Sequence, residues 1–536
     1  MHLRIRALAP LRAPGFVTLL ILLGGCAGGG KGPTVPPPVI TPPPERPTLA
    51  LTYRPSGRAA AGDVFVHLFE WRWTDIAAEC EIVLGPNGFR AVQVSPPQEH
   101  LVLQSHPWWV RYQPVSYSVG RSRSGSGAEF TAMIDRCRGA GVDIYVDAVI
   151  NHMTAGQGTG SNGTAFTKYE YPGLYTRSDF HPTCEVTNYQ SAANVQDCEL
   201  VGLADLRTDV PAVRQKIADY LVALVRLGVA GFRIDAAKHI QPVELDAIVA
   251  RVNQAAAAEG RALPYWFAEV IDHGGEDVQA ADYFGLGHAS GGATDITEFK
   301  FRFVSDKFLG TGGQRVAQLN PDGPAGSRFT PAAWGLMPAD KAVVFLENHD
   351  TQRGGGISYR DGNVYRLANV WMLAQPYGYP SIMSSYAFDR NSQPGRDAGP
   401  PSNGAGETTS VQCATRMETA TIGGWVCEHR DPSIARMVGF RRMVAGTAVS
   451  NWWDNGGNAI AFSRGDKGFV AMSRESAAVT VTTTTGLASG TYCDVLTGGR
   501  IGTACAGTSV TVGATGAIQL MLQTNTAIAI HTGTRL

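Results

Sequence analysis

The 536-residue chain has almost no excess charge of either sign: 45 Lys and Arg stand against 46 Asp and Glu, a formal net charge of −1. That balance offers neither the basic footprint of a nucleic-acid binder nor an electrostatic membrane surface, so no nucleic-acid partner is expected. After residue 30 no apolar run approaches the ~20 residues that cross a bilayer. No G-x-G-x-x-G follows a strand and no Walker motif occurs, which leaves a nucleotide-binding fold without support. No C-x-x-C and no His-rich cluster occurs either, so zinc is not indicated. What is present is an ordinary globular composition, 44% hydrophobic with ten Trp. The chain is too long for one core, and two or three domains are expected.

The N-terminus reads as a targeting segment. Arg4, Arg6 and Arg12 precede a short apolar core, Phe16 to Leu23, and then Leu23-Gly24-Gly25-Cys26. This resembles a bacterial lipoprotein signal over residues 1–25, with Cys26 acylated and tethered to a membrane. Plain secretion with cleavage near Ala27 is the alternative. Export follows in either case, to the cell surface or the extracellular space. Residues 26–50 are Gly- and Pro-rich and read as a semi-extended tether. Eight cysteines remain beyond Cys26, an even number that suggests disulfides in an exported chain. Sequence neighbours suggest Cys184–Cys198, Cys413–Cys427 and Cys493–Cys505, which leaves Cys80–Cys137.

Apolar segments of strand character alternate with helical periodicity over most of the chain. The strand-like segments are 63–69, 88–95, 142–150, 231–235, 265–269, 296–299, 342–346 and 381–385. Helical runs include 130–138, 213–227, 243–258 and 364–374. Eight such strands fit a (β/α)₈ TIM barrel better than an open doubly wound sheet. The rhythm lapses between residues 152 and 208, which reads as a small inserted domain after the third strand. Beyond about residue 446, Thr, Val and Gly alternate with turns, the pattern of an antiparallel β domain. The expected layout is thus a barrel over 51–151 and 209–445, an insert over 152–208, and a C-terminal β-sandwich over 446–536.

Four strand ends carry polar clusters: Asp147/Asn151/His152, Arg233/Asp235/Lys238/His239, Glu269, and Asn348/His349/Asp350. A barrel brings strand ends to one face. Taken alone, Asp235 could equally cap the next helix. Trp108-Trp109 with Tyr112-Gln113 lies upstream. Adjacent aromatics on a loop make platforms for sugar rings, although one of the two rings could simply pack in the core. Paired carboxylates beside aromatic platforms favour glycoside chemistry.

The segments VHLFEWRWTDIAAECE, PWWVRYQPVSY, IYVDAVINHM, GFRIDAAKH, FAEVIDHGGE, FLENHDTQRG, WVCEHR and NWWDNG carry a resemblance. The chain resembles the α-amylases of the large (β/α)₈ glycoside hydrolase family, specifically their animal-type, chloride-activated branch. The eight cysteines match disulfide positions of that branch. The resemblance implies endo-acting, retaining hydrolysis of α-1,4-glucans such as starch and glycogen. Asp235 would be the nucleophile, Glu269 the general acid and then base, and Asp350 the stabiliser of the oxocarbenium-like transition state. His152, His239 and His349 would bind hydroxyls of the sugar being cleaved, and Lys238 joins the substrate-binding set. Trp108, Trp109 and Tyr112 would stack on glucose rings, with Gln113 hydrogen-bonding them. Arg233 would hold Asp235 ionised and oriented, which follows from charge alone.

The resemblance also implies Ca²⁺ between barrel and insert. Asn151 and Asp205 would supply side-chain oxygens, and Gln196 and His239 main-chain carbonyls. By themselves Asn151 and Asp205 read more readily as turn residues, so the calcium expectation rests on the resemblance. An anion site near the general acid matches at Arg233 and Asn348, but Ser381 stands where the branch carries a basic residue. Chloride dependence is therefore not expected. The chain is expected to act as a monomer. Two other readings remain at this stage: a transglycosylase or maltogenic enzyme on the same scaffold, and a non-catalytic glucan-binding lipoprotein. Such binding proteins usually lose part of the acidic trio, which is complete here.

Overall fold

The structure is a computed structural model that describes residues 46–324 and 328–536. The signal, Cys26 and most of the Pro-rich segment lie outside the described residues. Eight parallel strands close a barrel. They are β1 (Phe65–Leu68), β2 (Ala91–Val94), β3 (Asp143–Ala148), β4 (Gly231–Ile234), β5 (Tyr265–Ala268), β6 (Thr294–Thr297), β7 (Ala342–Val344) and β8 (Tyr379–Ser384). Each strand pairs with its neighbour in sequence, and β8 closes on β1 through Phe65 opposite Ser381. All eight fall where the sequence places strands. The sixth begins two residues earlier than expected and ends before Phe299, because the Glu298 side chain accepts the Lys300 N–H and starts a 3₁₀ turn there.

Phe65, Ala91, Tyr145, Tyr265, Phe267, Val343 and Tyr379 fill the barrel's interior as a separate aromatic-rich core. The larger core lies between strands and surrounding helices. The helix Pro211–Leu227 shows how the sequence builds this layer. Proline opens it, Gly228 ends it in the left-handed region (φ 103°), and Ile217, Leu221 and Leu224 are fully buried. The next strand must begin with glycine. A Cβ on Gly231 would stand 2.7 Å from both the Tyr145 ring and the Tyr265 carbonyl.

Between β3 and β4 the chain forms short pieces rather than a barrel repeat. Strand His152–Met153 pairs antiparallel with Ala204–Asp205, and a six-residue helix spans Ala192–Asp197. After β8 and the helix Pro432–Met443 comes an all-β region. Its four-stranded antiparallel sheet is joined by antiparallel strand pairs such as Val479–Thr484 with Ala517–Leu522. All four expected disulfides form: Cys80–Cys137, Cys184–Cys198, Cys413–Cys427 and Cys493–Cys505. Among the described residues no helix is long and apolar enough to cross a membrane.

Candidate active site

The polar strand ends converge at the C-terminal mouth of the barrel, around one guanidinium. Arg233 Nη1 donates to Asp147 Oδ1 at 2.5 Å and to Asp235 Oδ1 at 2.9 Å. Its Nη2 stands 2.6 Å from Glu269 Oε1, an ion contact off the line of a hydrogen bond. Three buried carboxylates from β3, β4 and β5 therefore share one fixed cation, where pairing with Asp235 alone was expected. Asp235 does not cap the next helix, whose N-cap is Gln241.

That charge balance sets the protonation behaviour. Burial pushes the carboxyls of Asp147, Asp235 and Glu269 all upward, and Arg233 pulls all three back. The negative charge of Asp350 adds to the rise at Glu269. Three carboxylates on one guanidinium titrate as a unit. Asp147 and Asp235 both receive aligned hydrogen bonds from Arg233, and Asp147 also accepts the Tyr112 hydroxyl at 2.9 Å. Glu269 accepts only the Ala236 N–H, at 2.9 Å. Arg233 thus serves the two acids unequally, with an aligned bond to Asp235 and an ion contact to Glu269. Ala236 holds a left-handed φ of 49°, a conformation that costs a non-glycine residue roughly 1 kcal/mol or more and aims its N–H at Glu269.

Asp350 lies across the mouth, on the turn after β7, and its side chain is 43% exposed. Asn348 shapes this turn, its Oδ1 accepting the N–H groups of Asp350 and Thr351 at 3.1 and 2.8 Å. His349 Nε2 is 3.5 Å from Asp350 Oδ2. The His349 ring stacks on Tyr112 at 5.0 Å and on Phe69 at 5.0 Å, with the edge of Trp108 at 5.6 Å. Burial holds this imidazole neutral, well below its ordinary range.

Trp108 and Trp109 open a 3₁₀ turn and are half-buried, neither lost in the core nor free of it. The Trp108 indole N–H donates to the Arg396 carbonyl at 3.0 Å. Gln113 uses its amide oxygen internally, accepting from Thr154 Oγ1 at 2.7 Å and the Ala155 N–H. His152 Nε2 bonds the Tyr112 carbonyl at 3.0 Å, and burial lowers its imidazole to about 4. His239 is likewise lowered to about 4 by burial, and its Nδ1 bonds the Val195 carbonyl at 2.8 Å. Lys238 is committed to protein partners, the Ile271 carbonyl at 2.6 Å and the carboxylate of Glu276.

The residues expected around calcium lie on segments that contact one another. The register opposes His152, next to Asn151, to Asp205, and the Asn151 carbonyl accepts the Leu206 N–H at 3.0 Å. The His239 contact lands on Val195, one residue before Gln196, whose amide donates to the Tyr283 hydroxyl at 3.3 Å. Asp205 is buried, which pushes its carboxyl up to about 7 against the pull of His181 at 2.7 Å. Among the described residues no three His, Cys, Asp or Glu side chains cluster as a metal site. The set expected here has a single carboxylate. At the third expected anion position, Ser381 is half-buried in β8.

Four neighbours of the site were not assigned a role from the sequence: Asp147, Glu276, His67, whose ring meets that of His349 edge-on at 5.5 Å, and Arg353, which lies over Trp108 at 4.4 Å. Asp147 shares the strand parity of Tyr145 and belongs to a cluster already singled out, so strand alternation carried its signal. Glu276 lies 38 residues from Lys238, and no local pattern announces that pair.

A closed (β/α)₈ barrel with four acids at its catalytic face, a neutral histidine and an aromatic platform defines a site of glycoside-hydrolase type. Comparison with known proteins gives the family. The alpha amylase catalytic domain matches residues 95–382, and the alpha amylase C-terminal all-beta domain matches residues 450–533. The chain is 44% identical over 505 residues to an alpha-amylase of Tribolium castaneum, covering 91% of this chain and 98% of the relative. It is 42% identical over 502 residues to an alpha-amylase of Oryzias latipes, covering 88% and 94%. Alpha-amylase I of Eisenia fetida, solved as a point mutant with maltohexaose, superposes with a TM-score of 0.79 at 38% identity, over 91% of this chain and 100% of that one. The chain belongs to the α-amylase family.

Proposed function

We propose that the protein is an endo-acting, retaining α-amylase that cleaves α-1,4-glucosidic bonds in starch, glycogen and related glucans. The observation that carries this reading is the unequal hydrogen bonding of two carboxylates on adjacent strands. Asp235 receives an aligned bond from Arg233 and serves as the ionised nucleophile. Glu269 does not, and it holds the proton that the leaving oxygen needs. Attack by Asp235 on the anomeric carbon forms a glycosyl ester as Glu269 protonates the departing oxygen. Glu269, now a carboxylate, then takes a proton from water, which attacks the same carbon and releases Asp235. Two displacements retain configuration. Asp350, the most exposed of these acids, stabilises positive charge developing on the sugar ring.

His152, His239 and His349 are buried neutral imidazoles and so can both donate to and accept from sugar hydroxyls. Trp108, Trp109 and Tyr112 supply the stacking surface. Gln113, its oxygen occupied, offers its amide N–H groups. Lys238 borders the site through Glu276. For this work the chain is organised as the barrel over 51–151 and 209–445, the insert over 152–208 and the β domain over 446–536.

Ca²⁺ fits the Asn151, Gln196, Asp205 and His239 set because the donors are all oxygens, which suit a hard cation. The buried Asp205 charge has only His181 as its ion-pair partner within the described residues. The ion would join the insert to β4's end and stiffen that junction. Removal by a chelator should lower Tm, since a ligand at ~100 times its Kd adds about 2.7 kcal/mol. An unchanged Tm would refute the site. We read the protein as exported and monomeric, with four disulfides in support of export, and as acylated at Cys26. Mass spectrometry of the mature N-terminus tests the acylation.

The deciding experiment is product analysis on soluble starch and on an oligosaccharide blocked at its non-reducing end. Cleavage of the blocked substrate, with newly released ends in the α configuration, is the expected result. Failure to cut the blocked substrate, or predominant transfer to sugar acceptors, would favour an exo-acting enzyme or a transglycosylase.

A further inference from the structure

The turn after β7 carries both His349 and Asp350, and one side chain from that turn reaches back to the aromatic platform. Arg353 uses its main-chain N–H on the Asp350 carbonyl at 3.0 Å. Its guanidinium makes three further bonds. Nη1 donates to the His349 carbonyl, Nε to the Arg396 carbonyl at 3.0 Å, and Nη2 to the Tyr386 hydroxyl at 2.9 Å. The planar group lies 4.4 Å from the centroid of Trp108 and 4.5 Å from that of Phe388. The Arg396 carbonyl that Arg353 binds is also the acceptor of the Trp108 indole N–H. Trp108 is thus fixed at its ring face by Arg353 and at its edge by the carbonyl that Arg353 holds.

Such an arrangement is rigid for a specific reason. A guanidinium is a flat fork with donors at fixed angles, and it stacks on aromatic faces at the same time. Moving the Trp108 ring shifts Arg353, and Arg353 cannot shift without carrying the carbonyls of His349 and Asp350. A lysine keeps the charge but has neither the fork nor the plane.

We propose that Arg353 is a positioning residue that couples the Trp108 platform to His349 and Asp350, so that a glucose ring stacked on Trp108 improves the placement of Asp350 at the reacting sugar. This deepens the α-glucan reading above and rests on it. Its signature is a rate constant that depends on substrate length. A substrate long enough to cover Trp108 gains in kcat as well as in KM. Removing Arg353 takes from long substrates the kcat gain that contact with Trp108 gives them, over and above the loss shared by short ones. Small misplacements of a catalytic group cost up to about a hundredfold, so a tenfold loss in kcat for long substrates is the expected scale.

The test uses the full chain and maltooligosaccharides of increasing length, with kcat and KM measured separately for wild type, Arg353→Lys, Arg353→Met and Trp108→Leu. Wild-type turnover in the same assay establishes the activity itself, so a failure of the functional reading shows as no hydrolysis by any protein. In wild type, kcat should rise with length until the platform is filled. In Arg353→Met kcat should fall at every length through the loosened turn, and its rise with length should vanish. Arg353→Lys should resemble Arg353→Met, because charge alone cannot bridge the two elements. Adding Arg353→Met to Trp108→Leu should cost little more, since the two act as one unit. Equal loss at all lengths would overturn the proposal, as would full rescue by lysine or additive single-variant effects. If Arg353→Met does not fold, Arg353→Lys and Trp108→Leu still decide, because a length-dependent kcat in Arg353→Lys equal to wild type would refute the coupling.

Discussion

The two ends of the barrel bury acids in opposite ways. At the N-terminal end Asp295 is 2% exposed. Its Oδ2 accepts the Ser56 and Tyr265 hydroxyls at 2.6 and 2.9 Å, and Lys341 Nζ stands 3.6 Å from Oδ1. Lys341 in turn donates to the Thr294 and Arg54 carbonyls. One anion meets one cation, with two hydroxyls on Oδ2 and only the ammonium contact at Oδ1. At the C-terminal end three buried carboxylates share Arg233, and Ala236 is held in a left-handed turn beside them. A surplus of buried negative charge costs stability, and only a site that must move a proton gains from it. The balanced end is arranged for stability, and the unbalanced end is where the chemistry is proposed.

The sharpest way to break this contrast is to neutralise one acid at each end. Asp235→Asn, Glu269→Gln and Asp350→Asn should each lose about 10²–10⁴-fold or more in kcat. Tm should hold or rise for Asp235→Asn and Glu269→Gln, because each relieves the crowding around Arg233. Near-normal turnover in any of the three would refute its assigned role. At the other end Lys341→Met should leave kcat per folded molecule unchanged while costing roughly 3–5 kcal/mol, the usual penalty for stranding a buried charge. Chemical denaturation separates the two outcomes, and loss of turnover in folded Lys341→Met would show that the two ends are not independent.

A smaller effect sharpens the same contrast through pH. Glu79, away from both ends, is pushed up by burial but brought down to about 2 by hydrogen bonds from Arg430 and His429. A carboxyl whose folded pKa lies below its unfolded value stabilises the fold above the unfolded value, and that contribution fades as pH falls through the folded one. From 4.5 to about 2 this is worth about 3 kcal/mol at neutral pH. Glu79→Gln should therefore be destabilised at pH 7 and converge on wild type between about pH 4.5 and 2. Parallel curves across that range would refute the assignment. Activity has the opposite sign at Glu269. Burial and the charge of Asp350 raise its carboxyl, and turnover should fall as pH rises through the titration of that acid.

Strand and helix placement was legible in the sequence because the barrel repeats a local pattern. Apolar runs such as 342–346 must be buried, and Gly231 and Gly228 mark where neighbours approach or the backbone turns. The disulfides were legible because six of the eight cysteines pair across 12 to 14 residues. Polar clusters were legible where motif and strand end coincide, as at Asp235 and Glu269, which the barrel brings to one mouth. What stayed hidden was partnership across elements. That Arg233 serves Asp147 as well as Asp235 depends on barrel register. That Lys238 spends its charge on Glu276, and that Arg353 ties Trp108 to His349, depends on loops whose paths no local pattern dictates.

The smallest expected effect concerns chloride, and it follows from the same accounting of charge at the catalytic end. An anion beside Glu269 would need cations to hold it. Arg233 is already committed to three carboxylates. Asn348 spends its amide oxygen on the backbone of its own turn, which leaves neutral N–H groups as its contribution. Ser381 adds a hydroxyl to the half-buried face of β8 where a charged donor would be required. Hydrogen bonds from neutral donors are about half as strong as charge-assisted ones, and an added anion would enlarge a negative surplus that Arg233 already fails to balance. The role an anion would play, raising Glu269, is filled here by burial and by Asp350. Turnover after exhaustive exchange into chloride-free buffer should therefore match that in millimolar chloride to within about twofold, well under 1 kcal/mol. Ser381→Arg should create the missing half of an anion site and with it a saturable chloride response. Tenfold activation of the wild type by chloride would show instead that the catalytic end carries a positive charge this count has missed.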